Sequence, residues 1–188
     1  MTTGFTHRIA TEADIPALVV LMDRSISGPL ADFLTPDQIA ASRRLMGLDS
    51  QIIADRTYLI VEADGAMAGC GGWSRRITEY GGDHTPGRVP APLTPGLDAA
   101  RIRAMYTAPE FVRRGVGRLI LGLCETAARA AGYGRAELVA TLGGEPLYLA
   151  AGYREIERFE DDRGGAPVPL VRMGKRLDSG FGPAGEPG

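Results

Sequence analysis

Apolar positions along the chain follow two periods, one helical and one extended. Ile15, Leu18, Val19, Met22 and Ile26 recur every three or four residues and predict a helix over "TEADIPALVVLMDRSI". Thr11 stands at its cap, with Asp14 three residues on in capping-box position. A second helix is predicted in "TPDQIAASRRLMG", with Thr35 as cap, Pro36 in the first helical position, Gln38 completing the box and Gly47 at the end. A third carries Val116, Leu119, Ile120, Leu123, Cys124 and Ala127 on one stripe and stops at Gly132. "GEPLYLAAG" is short enough to be one helical turn or two, closed by Gly152.

The extended segments fall between these helices. "THRIA" from Thr6 opens the chain as a strand, and "TYLIVEADGAMAGCGGWS" reads as a hairpin about Asp64-Gly65, a pair that accepts the positive φ of a tight turn. Gly69, Gly71 and Gly72 in its second strand point to a bulge or close strand packing, or to close approach of a ligand. In "ARIRAMYTA" from Ala100, Ile102, Ala104 and Tyr106 alternate with Arg101, Arg103 and Met105 across the two faces. "RAELVAT", "YREIERFE" and "VPLVRMGKR" complete the set, the last two around the "DDRGGA" loop. The order predicts an α/β domain on one partly antiparallel sheet, with the strands of the Ala100 to Thr141 unit parallel. Residues 76–100 carry many glycines and prolines and are expected to be an irregular insertion within a domain of residues 1–177. "DSGFGPAGEPG" from Asp178 has little to bury and is expected to be a disordered tail over 178–188.

Composition narrows the classes. The chain has 188 residues, enough for one ordinary core, and a net charge of −2, which points neither to nucleic acid nor to an anionic membrane. No apolar run is long enough to cross a bilayer and no signal-like segment opens the chain, so a cytoplasmic location is expected. Cys70 and Cys124 sit in apolar stretches and are expected to be free buried thiols. The two histidines and two cysteines have no metal-ligand spacing, so no metal is expected.

The stretch "APEFVRRGVGRLIL" carries the most chemistry. A helix starting near Arg114 leaves its first amides unpaired, with partial positive charge, and Gly115 and Gly117 leave room for an anion to reach them. Arg113, Arg114 and Arg118 add guanidinium groups suited to phosphate. The same pattern also fits a plain helix start with solvated charges and glycines that permit close packing. It has neither the full G-x-G-x-x-G spacing nor a Gly-Lys-Ser/Thr.

Taken with its surroundings, the sequence resembles the GCN5-related N-acetyltransferase (GNAT) family. "MYTAPEFVRRGVGRLIL" is similar to the family's Gln/Arg-x-x-Gly-x-Gly/Ala pyrophosphate loop, with Val112 in place of the opening Gln/Arg. "PLYLAAGY" matches its A-x-x-x-Tyr-x-x-x-Gly-Phe/Tyr segment through Tyr148, Gly152 and Tyr153, and "HRIATEADIPALVVLM" its first strand and helix. Thr141 stands where the family often has an asparagine seven residues before the tyrosine.

The resemblance implies a mixed, mostly antiparallel sheet of six to seven strands with a central parallel pair, flanked by helices. It implies transfer of an acetyl group from acetyl-CoA to a primary amine of a small molecule or an exposed protein amine, by direct attack in a ternary complex. Met105, Tyr106 and Thr107 would offer backbone groups to the pantetheine, Val112, Arg113, Arg114, Gly115, Val116, Gly117 and Arg118 would hold the pyrophosphate, and Thr141 or the Gly143-Gly144 backbone would replace the asparagine contact. Tyr148 would serve the leaving thiolate as proton or hydrogen-bond donor; otherwise it is a buried aromatic. Glu79, Asp83, His84 or a water chain would take the amine's proton. A homodimer is compatible with this reading. A catalytically weak acyl-CoA-binding sensor or partner subunit with the same fold is the alternative, and a nucleotide-binding α/β domain is a third reading that rests on the glycine turn alone.

Overall fold

A computed structural model describes residues 4–177; the predicted tail over 178–188 lies outside the described residues. Seven strands form one sheet: β1 (Thr6–Ile9), β2 (Tyr58–Ala63), β3 (Ala66–Ser74), β4 (Ala100–Thr107), β5 (Arg135–Thr141), β6 (Arg154–Asp161) and β7 (Val168–Arg176). Their order is β1-β2-β3-β4-β5-β7-β6, and every pair is antiparallel except β4–β5. Five α-helices flank the sheet: α1 (Ile15–Ser27), α2 (Pro36–Leu45), α3 (Ser50–Ala54), α4 (Val116–Ala130) and α5 (Glu145–Ala150).

Local signals account for most of these boundaries. Thr35 and Gln38 form the reciprocal box at α2, with Gln38 N donating to Thr35 Oγ1 at 3.3 Å and Thr35 N to Gln38 Oε1 at 3.0 Å. Asp14 accepts from the Thr11 amide at 2.8 Å, though Glu12–Asp14 is a 3-10 turn and α1 proper begins at Ile15. Asp64 and Gly65 both take positive φ, 51° and 78°, as a tight hairpin turn requires. Gly132 at φ 91° ends α4, and its amide donates to the Arg129 carbonyl at 2.9 Å. Helix α2 stops one residue earlier than Gly47 suggests, because Met46 is already extended.

Three expectations change. Val19 is 48% exposed and Leu21 takes its place in the buried stripe with Leu18, Met22 and Ile26, since a helix tolerates a neighbouring apolar residue on its wet side. In α4, Leu121 and Ala128 join Val116, Ile120 and Cys124 in the core, while Leu119, Leu123 and Ala127 are only partly covered. The even alternation predicted along β4 fails at Ala104. Its pairing with β3 slips between Cys70 and Gly72, and Ala104 takes φ 50°, the signature of a bulge. Arg103 and Tyr106 therefore both reach the 47–49 segment, and Met105 turns toward Gly71 and α4.

The bulge has a dedicated support. The hydroxyl of Tyr58, a buried residue of β2, donates to the Ala104 carbonyl at 2.8 Å and lies 3.1 Å from Cys70 Sγ. A bulge bends its strand, and β4 and β5 pair only at Ala100–Ala136 and Arg101–Glu137 before they separate. The glycines of β3 let α4 lie close over this region: a Cβ on Gly69 would stand 2.6 Å from Val116 Cγ1, and one on Gly71 2.7 Å from Ile120 Cγ2. Close packing, not ligand approach, accounts for both.

Two apolar clusters result. The larger joins α1, α4 and most of the sheet. The smaller gathers Ile26, Leu30, Leu34, Ala41, Leu45, Val168 and Leu170, with Met46, Tyr80, Tyr106 and Val139 packed against it. Cys70 and Cys124 are free, buried thiols, each pushed up to about 12 by burial. No helix among the described residues is long and apolar enough to cross a membrane.

Candidate active site

Where β4 and β5 part, a cleft of about 1110 Å³ opens between them. At one end stands the glycine turn. A 3-10 turn over Pro109–Phe111 buries Phe111, Arg113 takes φ 64°, and Gly115 at φ 91° is the residue before α4. The first bond into the helix is Leu119 N to Gly115 O at 3.0 Å. Among the described residues, the amides of Val116, Gly117 and Arg118 have no hydrogen-bond partner, as a helix start dictates. The helix begins at Val116, two residues beyond the predicted start, because Arg113 and Gly115 both leave the right-handed region.

The two glycines differ. Nothing lies within 4 Å of a Cβ built on Gly115, so its role is the left-handed backbone, whereas one on Gly117 would meet Leu147 Cδ2 of α5 at 2.9 Å. Val112, Arg113, Gly115, Val116, Gly117 and Arg118 all line the cleft. Arg114 does not: its guanidinium lies over the Phe111 ring, 4.8 Å from the centroid, and a cation held there strengthens the turn.

The middle of the cleft is walled by Met105, Tyr106 and Thr107 from β4 and by Thr141, Gly143, Gly144 and Tyr148 from the opposite side. Thr141 is already engaged: its Oγ1 accepts from the Gly144 amide at 3.2 Å, which shapes the turn into α5. Tyr148 is 8% exposed, its ring edge-on to Tyr153 at 5.9 Å and its hydroxyl 3.6 Å from Met105 Sδ. Burial, with Cys124 nearby, pushes its phenol well above the ordinary value. The hydroxyl therefore remains protonated near neutral pH and keeps its proton available for donation.

The other end is built from segments distant in sequence. Ile26 comes from the last turn of α1, Leu30 and Phe33 from the α1–α2 connection, Met46 and Gly47 follow α2, Glu79 to Gly81 come from the irregular insertion, and Leu170 from β7. Behind them Arg103, with a side chain 2% exposed, pairs with the fully buried Asp49 and donates to the Gly81 carbonyl at 2.7 Å. Arg88 joins Asp49 to Asp83, so two guanidinium groups meet two carboxylates there. Burial lowers the Arg103 pKa, with Asp49 opposing the shift. Tyr106 closes the same wall by accepting from the Gly47 amide at 3.1 Å.

Of the residues proposed for proton transfer, Glu79 alone lines the cleft. Asp83 binds the Ser50 amide and Arg88, and His84 is an exposed loop residue beside Gly47 and Gly82. Glu110 lies outside, paired with Arg24 at 2.7 Å. The α1–α2 wall was not legible as a site, because "GPLADFL" is too short for either period; its one signal is that Leu30, Phe33 and Leu34 are apolar in a Gly-Pro break.

A family model described as an acetyltransferase (GNAT) domain matches residues 54–155. No curated protein matches the sequence. Solved structures of similar fold include a GCN5-related N-acetyltransferase from Rhodopseudomonas palustris, at 18% identity over 94% of this chain and 98% of that one, with a TM-score of 0.69. YncA from Salmonella typhimurium with acetyl-CoA has 16% identity, coverage of 96% and 98%, and a TM-score of 0.61. The PaiA N-acetyltransferase from Thermoplasma acidophilum in complex with coenzyme A has 14% identity, coverage of 92% and 99%, and a TM-score of 0.60. The family model spans more than half of the chain, from the end of α3 to the start of β6, and on that match the chain belongs to the GNAT acetyltransferase family.

Proposed function

We propose that the protein transfers an acetyl group from acetyl-CoA to a primary amine, both substrates meeting in the β4–β5 cleft. The observation that carries this reading is the opening of β4 from β5 beside the unpaired first-turn amides of α4. The fit to coenzyme A rests on the chain's own groups. Three free amides at a helix N-terminus, with Arg113 and Arg118 on the rim, suit a pyrophosphate, and the open space above Gly115 leaves the approach clear. Similar solved structures hold coenzyme A or acetyl-CoA, which supports the same assignment.

Acetyl-CoA supplies a thioester whose carbonyl carbon bonds to the neutral amine as the carbon–sulfur bond breaks; coenzyme A leaves as the thiolate and takes its proton from water. The protein's part is positioning and charge stabilisation. The β4 backbone from Met105 to Thr107, with no strand beside it on the cleft side, offers hydrogen bonds to the pantetheine as an added strand would receive them. Val112 contributes no side-chain hydrogen bond at its position in the turn, so phosphate binding falls to the amides and to Arg113 and Arg118. Arg114 is assigned a supporting role through Phe111.

Tyr148 donates a hydrogen bond to the departing sulfur. A phenol near 10 is already a weaker acid than a thiol near 8.5. Burial raises the phenol further, so its proton stays on oxygen and stabilises the thiolate without full transfer. Glu79 is the carboxylate placed to accept the amine's proton, directly or through water.

The test is release of free thiol from acetyl-CoA with a panel of primary amines, alongside calorimetry with coenzyme A. The reading expects amine-dependent thiol release. Tight binding of coenzyme A with no release for any amine would leave a sensor instead, and no binding would remove both.

A further inference from the structure

The far half of the cleft is apolar and carries an excess of negative charge. We propose that the acceptor, on the acetyltransferase reading above, is a primary amine on an apolar body that bears no carboxylate.

The body is argued from the wall. Ile26, Leu30, Met46, Tyr80 and Leu170 belong to the smaller apolar cluster, yet they also face the cleft. That core therefore surfaces as the floor of the acceptor half. Phe33, 50% exposed, stands at its rim against Gly143, where a Cβ would lie 3.2 Å from the ring. A solvated or multiply charged acceptor would lose hydration against such walls, while an apolar body gains by burial.

The charge is argued from pairing. Glu79 binds Arg172 through both carboxylate oxygens, at 2.8 and 3.2 Å, and lies 3.9 Å from Arg101. Arg172 also pairs with Glu157, and Arg101 with Glu137. Three carboxylates thus share two guanidinium groups, and the one that faces the cleft is Glu79. Asp32 lines the same half and has no ion-pair partner among the described residues. Arg103, the cation in this wall, is balanced by Asp49. An incoming ammonium finds excess negative charge, and an incoming carboxylate finds no uncommitted cation to meet it. Amino acids are disfavoured for that reason, although they share the reactive group.

The matched pair 2-phenylethylamine and L-phenylalanine isolates the carboxylate, since body and amine are otherwise the same. In the thiol-release assay, kcat/KM is expected to be at least tenfold higher for 2-phenylethylamine. Asp32→Asn should raise its KM several-fold and leave the KM for L-phenylalanine unchanged or lower. Calorimetry of both compounds into the protein saturated with coenzyme A provides a readout independent of turnover, with at least tenfold tighter binding expected for the amine. Equal or better use of L-phenylalanine would overturn the proposal, as would a strong preference for 1,4-diaminobutane, which lacks the apolar body. If no amine releases thiol, the acetyltransferase reading fails, and the calorimetric pair still decides this one: tighter binding of 2-phenylethylamine supports it and equal binding overturns it.

Discussion

The two ends of the cleft are built by different means. The α4 end is local and made of backbone: six consecutive positions from Val112 to Gly117 set the dihedrals that leave three amides pointing outward, and the side chains around them are exposed arginines. The far end, the proposed acceptor end, is assembled from four segments, and its shape depends on buried side chains, above all the Asp49–Arg103 pair and the Tyr106 contact to Gly47. A site made of amides suits a ligand part that every acetyl-CoA enzyme shares. A site made of side chains from distant segments can change its selectivity without disturbing the turn. This contrast predicts that damage at one end is felt as binding of coenzyme A, and at the other as folding or choice of amine.

The largest effect is expected at the buried ion pair. Asp49→Ala leaves Arg103 without its carboxylate, and such an uncompensated buried charge costs about 3–5 kcal/mol. A loss of that size in urea unfolding is the predicted result; a loss below about 1 kcal/mol would mean the acceptor wall is not held by this pair. Next comes Gly117→Glu, which sets an anion among the free amides and makes Leu147 move. Each charge-assisted hydrogen bond is worth about 1.5–3 kcal/mol, so affinity for coenzyme A should fall by about a hundredfold or more, with far-UV circular dichroism preserved.

Tyr148→Phe keeps the ring against Tyr153 and removes the donor. Loss of one hydrogen bond to a charged group corresponds to roughly ten- to a hundredfold in kcat, with coenzyme A affinity little changed. Unaltered turnover would make Tyr148 a core residue only. Tyr58→Phe should cost about 1–3 kcal/mol of stability, because the Ala104 carbonyl at the bulge loses its donor. The smallest effect is an absence. Since burial raises the Tyr148 phenol above about 10, kcat should rise with pH as the amine loses its proton and show no falling limb from Tyr148 below about pH 10. A falling limb near pH 8 that disappears in Tyr148→Phe would contradict this.

The same contrast explains what could be read from the sequence. The glycine turn, the capping boxes, the Asp64-Gly65 hairpin and the end of α4 are dictated by residues within a few positions of one another, and the element order followed from them except for the five-residue α3 (Ser50–Ala54), too short to show a period. The bulge at Ala104 was hidden, since an alanine at φ 50° carries no mark of its own; its cause is Tyr58, a residue 46 positions earlier that supplies the hydroxyl. The buried Arg103 was hidden likewise, because an arginine in an alternating strand reads as solvent-facing until Asp49 is brought beside it. Phe33 and Tyr80 lie in irregular segments, where no period distinguishes a wall residue from a surface one. Asp83 and His84 show the converse: suitable chemistry in the right loop, turned away from the cleft.

The central claim is that coenzyme A lies along the separated edge of β4 with its phosphates on the first turn of α4. Hydrogen–deuterium exchange of the full chain with and without acetyl-CoA tests it most directly. Slowed exchange is predicted at Met105–Thr107 and at Val116–Arg118, whose amides have no partner among the described residues, with smaller changes over Glu79–Gly81. Binding of acetyl-CoA that leaves exchange at Val116–Arg118 unchanged would contradict the account.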